Sequence, residues 1–151
     1  MSVSNQNEWS IAYHPIFHRQ YQEQIQKVKQ LDRKTKEGQL SREKYKQHPD
    51  VKLLKALRKC FQDISADPFN SRYKLRKELK EYCRVKNLGL SSQYRLFFWV
   101  DRENHIVVIL WLGYPRRRGD KKNDCYEKFK RMVKKGIFIT NSEDLLDSDS
   151  E

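Results

Sequence analysis

Cysteine is scarce in this chain. The three thiols, Cys60, Cys83 and Cys125, are odd in number, widely spaced and set in otherwise periodic segments, which argues against a disulfide framework or zinc ligation and makes each a buried structural thiol. Glycine is scarce too, at five residues, and no Gly-rich phosphate loop of the P-loop or dinucleotide-binding type is present. Long apolar runs are missing: the longest, Ile106 to Leu112, is about a third of the roughly 20 residues that cross a bilayer. The first residues lack the charged-then-apolar pattern of a secretory signal, so a cytoplasmic protein with no membrane role is expected. No carboxylate pair stands among the basic strands described below, which argues against two-metal nuclease chemistry.

Positive charge is what the chain has in excess. The 151 residues carry 32 Lys and Arg against 20 Asp and Glu, a net +12, and five of those carboxylates sit in residues 141–151, which hold no cation, so the remaining body carries +17. Such a field on a small body favours a polyanion such as RNA or DNA, an acidic partner or an anionic surface, and charge alone does not choose among them. The length fits one domain, 9–140, flanked by an N-terminus, 1–8, and an acidic Ser-rich tail, 141–151, both expected to be disordered. Hydrophobic residues make up only 37% of the chain, so the core must lean on its aromatic residues.

Local patterns divide the domain. Trp9 to Tyr13 is aromatic and β-prone, and Pro15 stands where a helix can start. Phe17, Tyr21, Ile25, Val28 and Leu31 form one stripe at helical spacing, predicting a helix to about Thr35 that breaks at Gly38. Pro49 opens a second stripe of Leu53, Leu54, Leu57, Cys60, Phe61 and Ile64, ending before Asp67-Pro68, so two helices joined by a charged connection form a hairpin. After a polar stretch the period changes: Tyr82 to Lys86, Tyr94 to Val100 and Ile106 to Leu112 read as strands, the last two as an antiparallel hairpin. Asp124 and Glu127 have capping-box spacing before a third helix with Tyr126, Phe129, Met132 and Val133 on one face, ended by Gly136.

Cations and aromatics coincide on these strands. Arg84 and Lys86 are two apart on one strand and so share a face, and Arg95 joins them from the neighbouring strand. Arg116, Arg117 and Arg118 form a run able to clamp a phosphate, and Tyr126 is placed to stack on a base or position a phosphate. Trp99, Lys121 and Lys122 extend the surface available to RNA. Cleaving RNA by attack of a 2′-hydroxyl requires proton withdrawal, stabilisation of extra negative charge and protonation of the leaving oxygen. Guanidinium groups suit the second task, and Lys86 suits the first where neighbouring cations lower its pKa. The same residues also fit cations covering a half-solvated sheet, and Tyr126 also fits a core position beside Phe129. His14 and His18 lie four apart but have no third ligand nearby, so capping or surface roles suit them better than zinc.

At these positions the chain resembles the YhaV family of toxins from bacterial toxin–antitoxin modules, within the RelE/ParE superfamily. The likeness runs from Trp9 to about Gly136. It begins at Trp9, Tyr13, His14-Pro15 and Phe17, continues through Lys52-Leu53-Leu54, and becomes specific at Arg84-Val85-Lys86, Tyr94-Arg95-Leu96-Phe97-Phe98 and Lys121-Lys122-Asn123-Asp124-Cys125-Tyr126. The resemblance implies an α+β RelE-like single domain, with an N-terminal strand and helical hairpin packed on an antiparallel β-sheet with a C-terminal helix. It implies an endoribonuclease that needs no metal or cofactor, using Arg84, Lys86, Arg95, Tyr126 and an arginine best matched by Arg117, with Arg116 and Arg118 as alternatives. It also implies an antitoxin of the PrlF type with an AbrB-like DNA-binding domain, contact with operator DNA only through that antitoxin, and RNA met free or on the ribosome. A non-catalytic inhibitor of the ParE branch and a plain nucleic-acid-binding module remain the rival classes. Presence of Arg84, Lys86, Arg95 and Tyr126 together favours the nuclease.

Overall fold

Two His-Pro steps start the long helices, and they do so by the same local device. In the computed structural model, which describes residues 8–90, 94–113 and 124–138, strand β1 (Ser10–Tyr13) runs into helix α1 (Pro15–Lys36). Proline at the first helical position lacks the N–H that would go unpaired there, and His14 Nδ1 accepts from the Ile16 N–H at 3.1 Å. Helix α3 (Pro49–Ala66) repeats the arrangement, with His48 Nδ1 accepting from the Asp50 N–H at 3.1 Å. His14 therefore caps, while His18 contacts Gln22 at 3.3 Å. The N-terminal segment and acidic tail expected to be disordered lie outside the described residues except for Glu8.

The charged connection between these helices contains a short helix, α2 (Arg42–Gln47), that hydrophobic periodicity did not indicate. It buries no residue, so it writes no apolar stripe. Its start is held by Ser41, whose Oγ accepts from the Lys44 N–H at 3.1 Å. The polar stretch after α3 makes two 3-10 turns, Ser71–Tyr73 and Lys77–Leu79, before strand β2 (Cys83–Val85). Strands β3 (Arg95–Asp101) and β4 (Ile106–Gly113) and helix α4 (Cys125–Lys134) complete the described elements.

The sheet order is β1-β4-β3-β2. Its last three strands are antiparallel, as expected from the short hairpin link, whereas β1 lies parallel to β4, with Ser10 opposite Ile106 and Tyr13 opposite Ile109. The sheet is therefore mixed, and the three helices between β1 and the other strands belong to the long crossover that a parallel neighbour requires. Beyond the His14 N–H, which donates to the Ile109 carbonyl at 2.8 Å, the β1 side of β4 meets a side chain. Gln20 of α1 accepts from the Leu112 N–H at 2.9 Å and donates to the Leu112 carbonyl at 3.0 Å, pairing that backbone as a strand would.

Both faces of the sheet are covered, which explains why β4 is buried almost throughout and its sequence runs apolar without alternation. On one face Leu96, Phe98, Val107, Ile109 and Leu112 pack with Phe17, Leu57, Phe61 and Ile64 of α1 and α3. On the other, Phe97, Val108, Leu110 and Trp111 pack with Cys125 and Phe129 of α4. An irregularity in the β3–β4 ladder adjusts the second face: Phe97 pairs with Trp111 and Phe98 with Ile109, leaving Leu110 unopposed. Phe129 stacks on Phe97 with centroids 4.2 Å apart and so seats α4 on this face.

Candidate active site

The α4 face of the β2–β3 pair carries the basic residues that sequence reasoning singled out. Arg84 lies opposite Phe97, and Arg95, two residues before Phe97, opens β3 opposite Gly113. Alternation puts Arg95 and Phe97 on one face. Helix α4 brings Tyr126 to that face through its N-terminal turn. Asp124 caps the turn by accepting from the Tyr126 N–H at 3.0 Å, so the cap bond goes to Tyr126 rather than to Glu127 as a capping box would have it. Close approach depends on Gly113: a Cβ there would stand 2.7 Å from Cys125 Cβ and 3.3 Å from its Sγ. Only a residue without a side chain admits the start of α4 at this distance.

Arg95 is held by three acceptors at once. Its Nε donates to the Tyr126 hydroxyl at 3.1 Å, and Nη1 donates to the carbonyls of Lys86 at 2.8 Å and Tyr94 at 3.0 Å. A guanidinium has five N–H groups in a rigid plane, so these bonds fix its orientation and leave Nη2 without a partner among the described residues. The Arg84 guanidinium lies over the Tyr126 ring, 5.8 Å from its centroid, and Nη1 donates to the Arg72 carbonyl at 3.3 Å. Arg84 Nε is buried with no hydrogen-bond partner among the described residues. Leaving a charged donor so placed is costly. Tyr126 is half-buried, its ring set edge-on to Phe97 at 5.7 Å. Its ring therefore packs against the core while its hydroxyl stays beside Arg95.

Arg84, Arg95 and Tyr126 are brought together as the spacing suggested. Lys86 follows the last residue of β2; its carbonyl takes part in holding Arg95, and the residue is exposed beside Arg84 on the wall of a cavity. Trp99 is elsewhere, four residues along β3 from Arg95, about 13 Å at strand rise, and lines a different cleft. Arg116, Arg117, Arg118, Lys121 and Lys122 lie outside the described residues. Sequence reasoning missed Arg72, which the 3-10 turn places against Arg84. The available signal was Asn70, whose side chain caps that turn by accepting from the Arg72 N–H at 3.1 Å. Among the described residues no three His, Cys, Asp or Glu side chains gather as a metal site, and no helix is long and apolar enough to cross a membrane.

The thiols stand apart from this chemistry. Burial pushes Cys60, Cys83 and Cys125 up to about 11 from 9.0, with the carboxylates of Asp63 and Asp124 adding to the effect at Cys60 and Cys125 respectively. Such thiols stay protonated at neutral pH and pack as small apolar groups.

Two guanidinium groups converge on a phenol on a strongly basic α+β domain, an arrangement chemically suited to holding a phosphate ester. The chain belongs to the YhaV toxin family, whose profile, a toxin with endonuclease activity of a toxin–antitoxin system, matches residues 11–150. The match continues past Gly136 and over most of the acidic tail. The protein is thus the toxin of such a system, with endonuclease activity and a cognate antitoxin as partner. Among solved structures it is similar to the isolated E. coli RelE toxin, at 15% identity and a TM-score of 0.43 over 83% of this chain and 98% of that one. It is similar also to a doubly arginine-to-alanine-substituted E. coli RelE in the free state, at 17% identity and a TM-score of 0.42 with the same coverage. No curated protein matches the sequence.

Proposed function

We propose that this toxin is a metal-independent endoribonuclease of the cytoplasm that cleaves mRNA by 2′-hydroxyl attack and so stops translation and growth. The observation that carries the reading is the Arg95 guanidinium, anchored by Tyr126, Lys86 and Tyr94, beside Arg84, with Arg95 Nη2 and the buried Arg84 Nε both lacking a hydrogen-bond partner among the described residues. Donors fixed before the reaction stabilise charge that develops during it, because they need not reorganise.

In the proposed reaction the Lys86 amine takes the proton of the 2′-hydroxyl, whose oxygen bonds to phosphorus while the bond from phosphorus to the 5′-oxygen breaks. Arg84 and Arg95, with Arg117 or a neighbour from the 116–118 run, hold the charged phosphate oxygens. Tyr126, the uncharged donor of the set, passes its proton to the departing 5′-oxygen. The products are a 2′,3′-cyclic phosphate and a 5′-hydroxyl. Arg116, Arg118, Lys121, Lys122 and Trp99 supply further contacts to the RNA.

The cognate antitoxin is proposed to be of the PrlF type with an AbrB-like domain, to cover or distort the Arg95 cleft, and to carry the pair to operator DNA. Incubating the purified chain with RNA in excess chelator, with and without ribosomes, tests the enzyme reading. Cyclic-phosphate ends without added metal are expected; 5′-phosphate ends, or binding that leaves both free and ribosome-bound RNA intact, would refute it. Equimolar antitoxin is expected to abolish cleavage.

A further inference from the structure

Beside Arg84, between α3 and β2, lies a cavity of about 650 Å³ that the chemistry above engages only at its Arg84 and Lys86 edge. Its wall includes Lys59 and Asp63 of α3, Arg72 and Tyr73 of the first 3-10 turn, Arg84, and Leu88 beyond β2. Small-ligand pockets run from roughly 300 to 1,000 Å³, so the space suits one nucleotide. Arg84 belongs to both places: it lines the cavity and overlies Tyr126. An RNA strand with its scissile phosphate at Arg95 therefore has a neighbouring nucleotide within reach of this cavity.

Three kinds of surface meet there, each suited to a different part of a nucleotide. Lys59 and Arg72 offer cationic donors for a phosphate; the Arg72 guanidinium is steadied by donating to the Tyr73 hydroxyl at 2.8 Å. Tyr73 and Leu88 give an apolar wall for a base. Asp63 is the one carboxylate among these cations. Its Lys59 contact is loose, 3.9 Å between exposed groups, and costs little to exchange.

A carboxylate selects among bases by its geometry. Two coplanar acceptor oxygens match two adjacent donors, and guanine alone presents such a pair, N1–H and N2–H, on its Watson–Crick edge. Adenine and cytosine set a lone pair beside their amino group, and uracil flanks its single N–H with carbonyls, so a carboxylate meets repulsion at each. We propose that this cavity is the subsite for a guanine nucleotide adjoining the scissile phosphate, with the base on Asp63 and its own phosphate on Lys59 and Arg72. The assignment rests on the endoribonuclease reading. An acidic antitoxin segment would also meet the cations, but Asp63 would repel it.

The test is an amide NMR titration of the full chain with guanosine 5′-monophosphate and with uridine 5′-monophosphate, paired with mapping of cleavage sites on mixed-sequence RNA. The guanosine nucleotide is expected to shift Tyr73, Leu88 and Gly89 and to bind at least about tenfold more tightly than the uridine one, the effect of a charge-assisted hydrogen-bond pair. Arg72→Ala should weaken both ligands, whereas Asp63→Asn should erase the difference between them. Mapped sites should carry guanine at one fixed position beside the cut, and Asp63→Asn should lose that preference with its fold unchanged by circular dichroism. Equal binding of the two nucleotides, or a site preference untouched by Asp63→Asn, overturns the proposal. So does an antitoxin that occupies the cavity while the guanosine nucleotide binds elsewhere. RNA cut without guanine preference removes the subsite and leaves the nuclease reading standing. Selective guanosine binding by a chain that cuts no RNA removes the nuclease reading and leaves a guanine-nucleotide site.

Discussion

The Nε of Arg95 donates to the hydroxyl of Tyr126 at 3.1 Å, joining the first residue of β3 to the first turn of α4 across 31 residues of chain. Because Nη1 is held by two backbone carbonyls as well, the guanidinium cannot turn away from the phenol without breaking other bonds. The two residues act as one preset unit, with the remaining donors directed by the plane of the group.

Arg95→Ala should reduce single-turnover RNA cleavage by about 10² to 10³, the cost of one charge-stabilising donor, with a smaller effect on RNA affinity. Arg95→Lys should recover little, since an ammonium on a flexible stem cannot serve Tyr126, Lys86 and Tyr94 together. A folded Arg95→Ala chain that cleaves at the parent rate would remove this residue from the mechanism.

Tyr126→Phe keeps the ring that packs edge-on against Phe97 and lies under Arg84 but removes the hydroxyl. Stability should fall by about 1 kcal/mol, one hydrogen bond's net worth, while cleavage should fall by about 10² to 10⁴ if the hydroxyl is the proton donor. Urea unfolding and rapid-quench assays read the two effects separately. Parent-like cleavage would leave Tyr126 a packing role alone.

Gly113→Ala tests how α4 is seated. The added methyl would stand 2.7 Å from Cys125 Cβ and 3.3 Å from a ring carbon of Trp111, so the start of α4 must shift. Overpacking of this kind costs about 1 to 3 kcal/mol, and moving Tyr126 off Arg95 should lower cleavage more than the melting temperature alone accounts for. An unchanged urea midpoint together with full activity would contradict the close approach.

The three thiols, Cys60 and Cys125 buried and Cys83 only partly so, make stability depend on alkaline pH. Their folded-state pKa is raised from 9.0 to about 11, so between those values the unfolded chain has released thiol protons that the folded chain keeps. The unfolded state binds fewer protons, and unfolding free energy falls as pH rises. The stabilisation is full below pH 9 and lost through pH 11. Urea midpoints at pH 8 and pH 10.5 should show the decline, and Cys60→Ser, Cys83→Ser and Cys125→Ser combined should flatten it after allowance for their own destabilisation. Rapid alkylation of Cys60 and Cys125 in the native protein at pH 7 would contradict their burial.

Much of the fold was legible in local patterns. The stripe from Leu53 to Ile64 appears as α3, and Phe129 with its neighbours marks α4, because an apolar residue every three or four positions can be buried only along one side of a helix. The cap at Asp124 and the basic strands at Arg84 and Arg95 were legible for the same reason: capping and strand alternation act over a few residues. Helix α2 was not, since it buries nothing and leaves charge alone as its signature.

The pairing of distant segments belonged to packing. Nothing within Ser10–Tyr13 says that the strand will lie parallel to β4, nor that Gln20 will complete the hydrogen bonds of Leu112, 92 residues away. Arg72 meets Arg84, and Gly113 admits Cys125, only after both faces of the sheet have been covered. Composition and spacing could say that cations and a tyrosine stand on strands and a helix of a basic domain, because those are properties of neighbouring residues. Which nitrogen meets which oxygen depends on how two layers settle against one sheet, where a shift of an ångström makes or breaks a hydrogen bond.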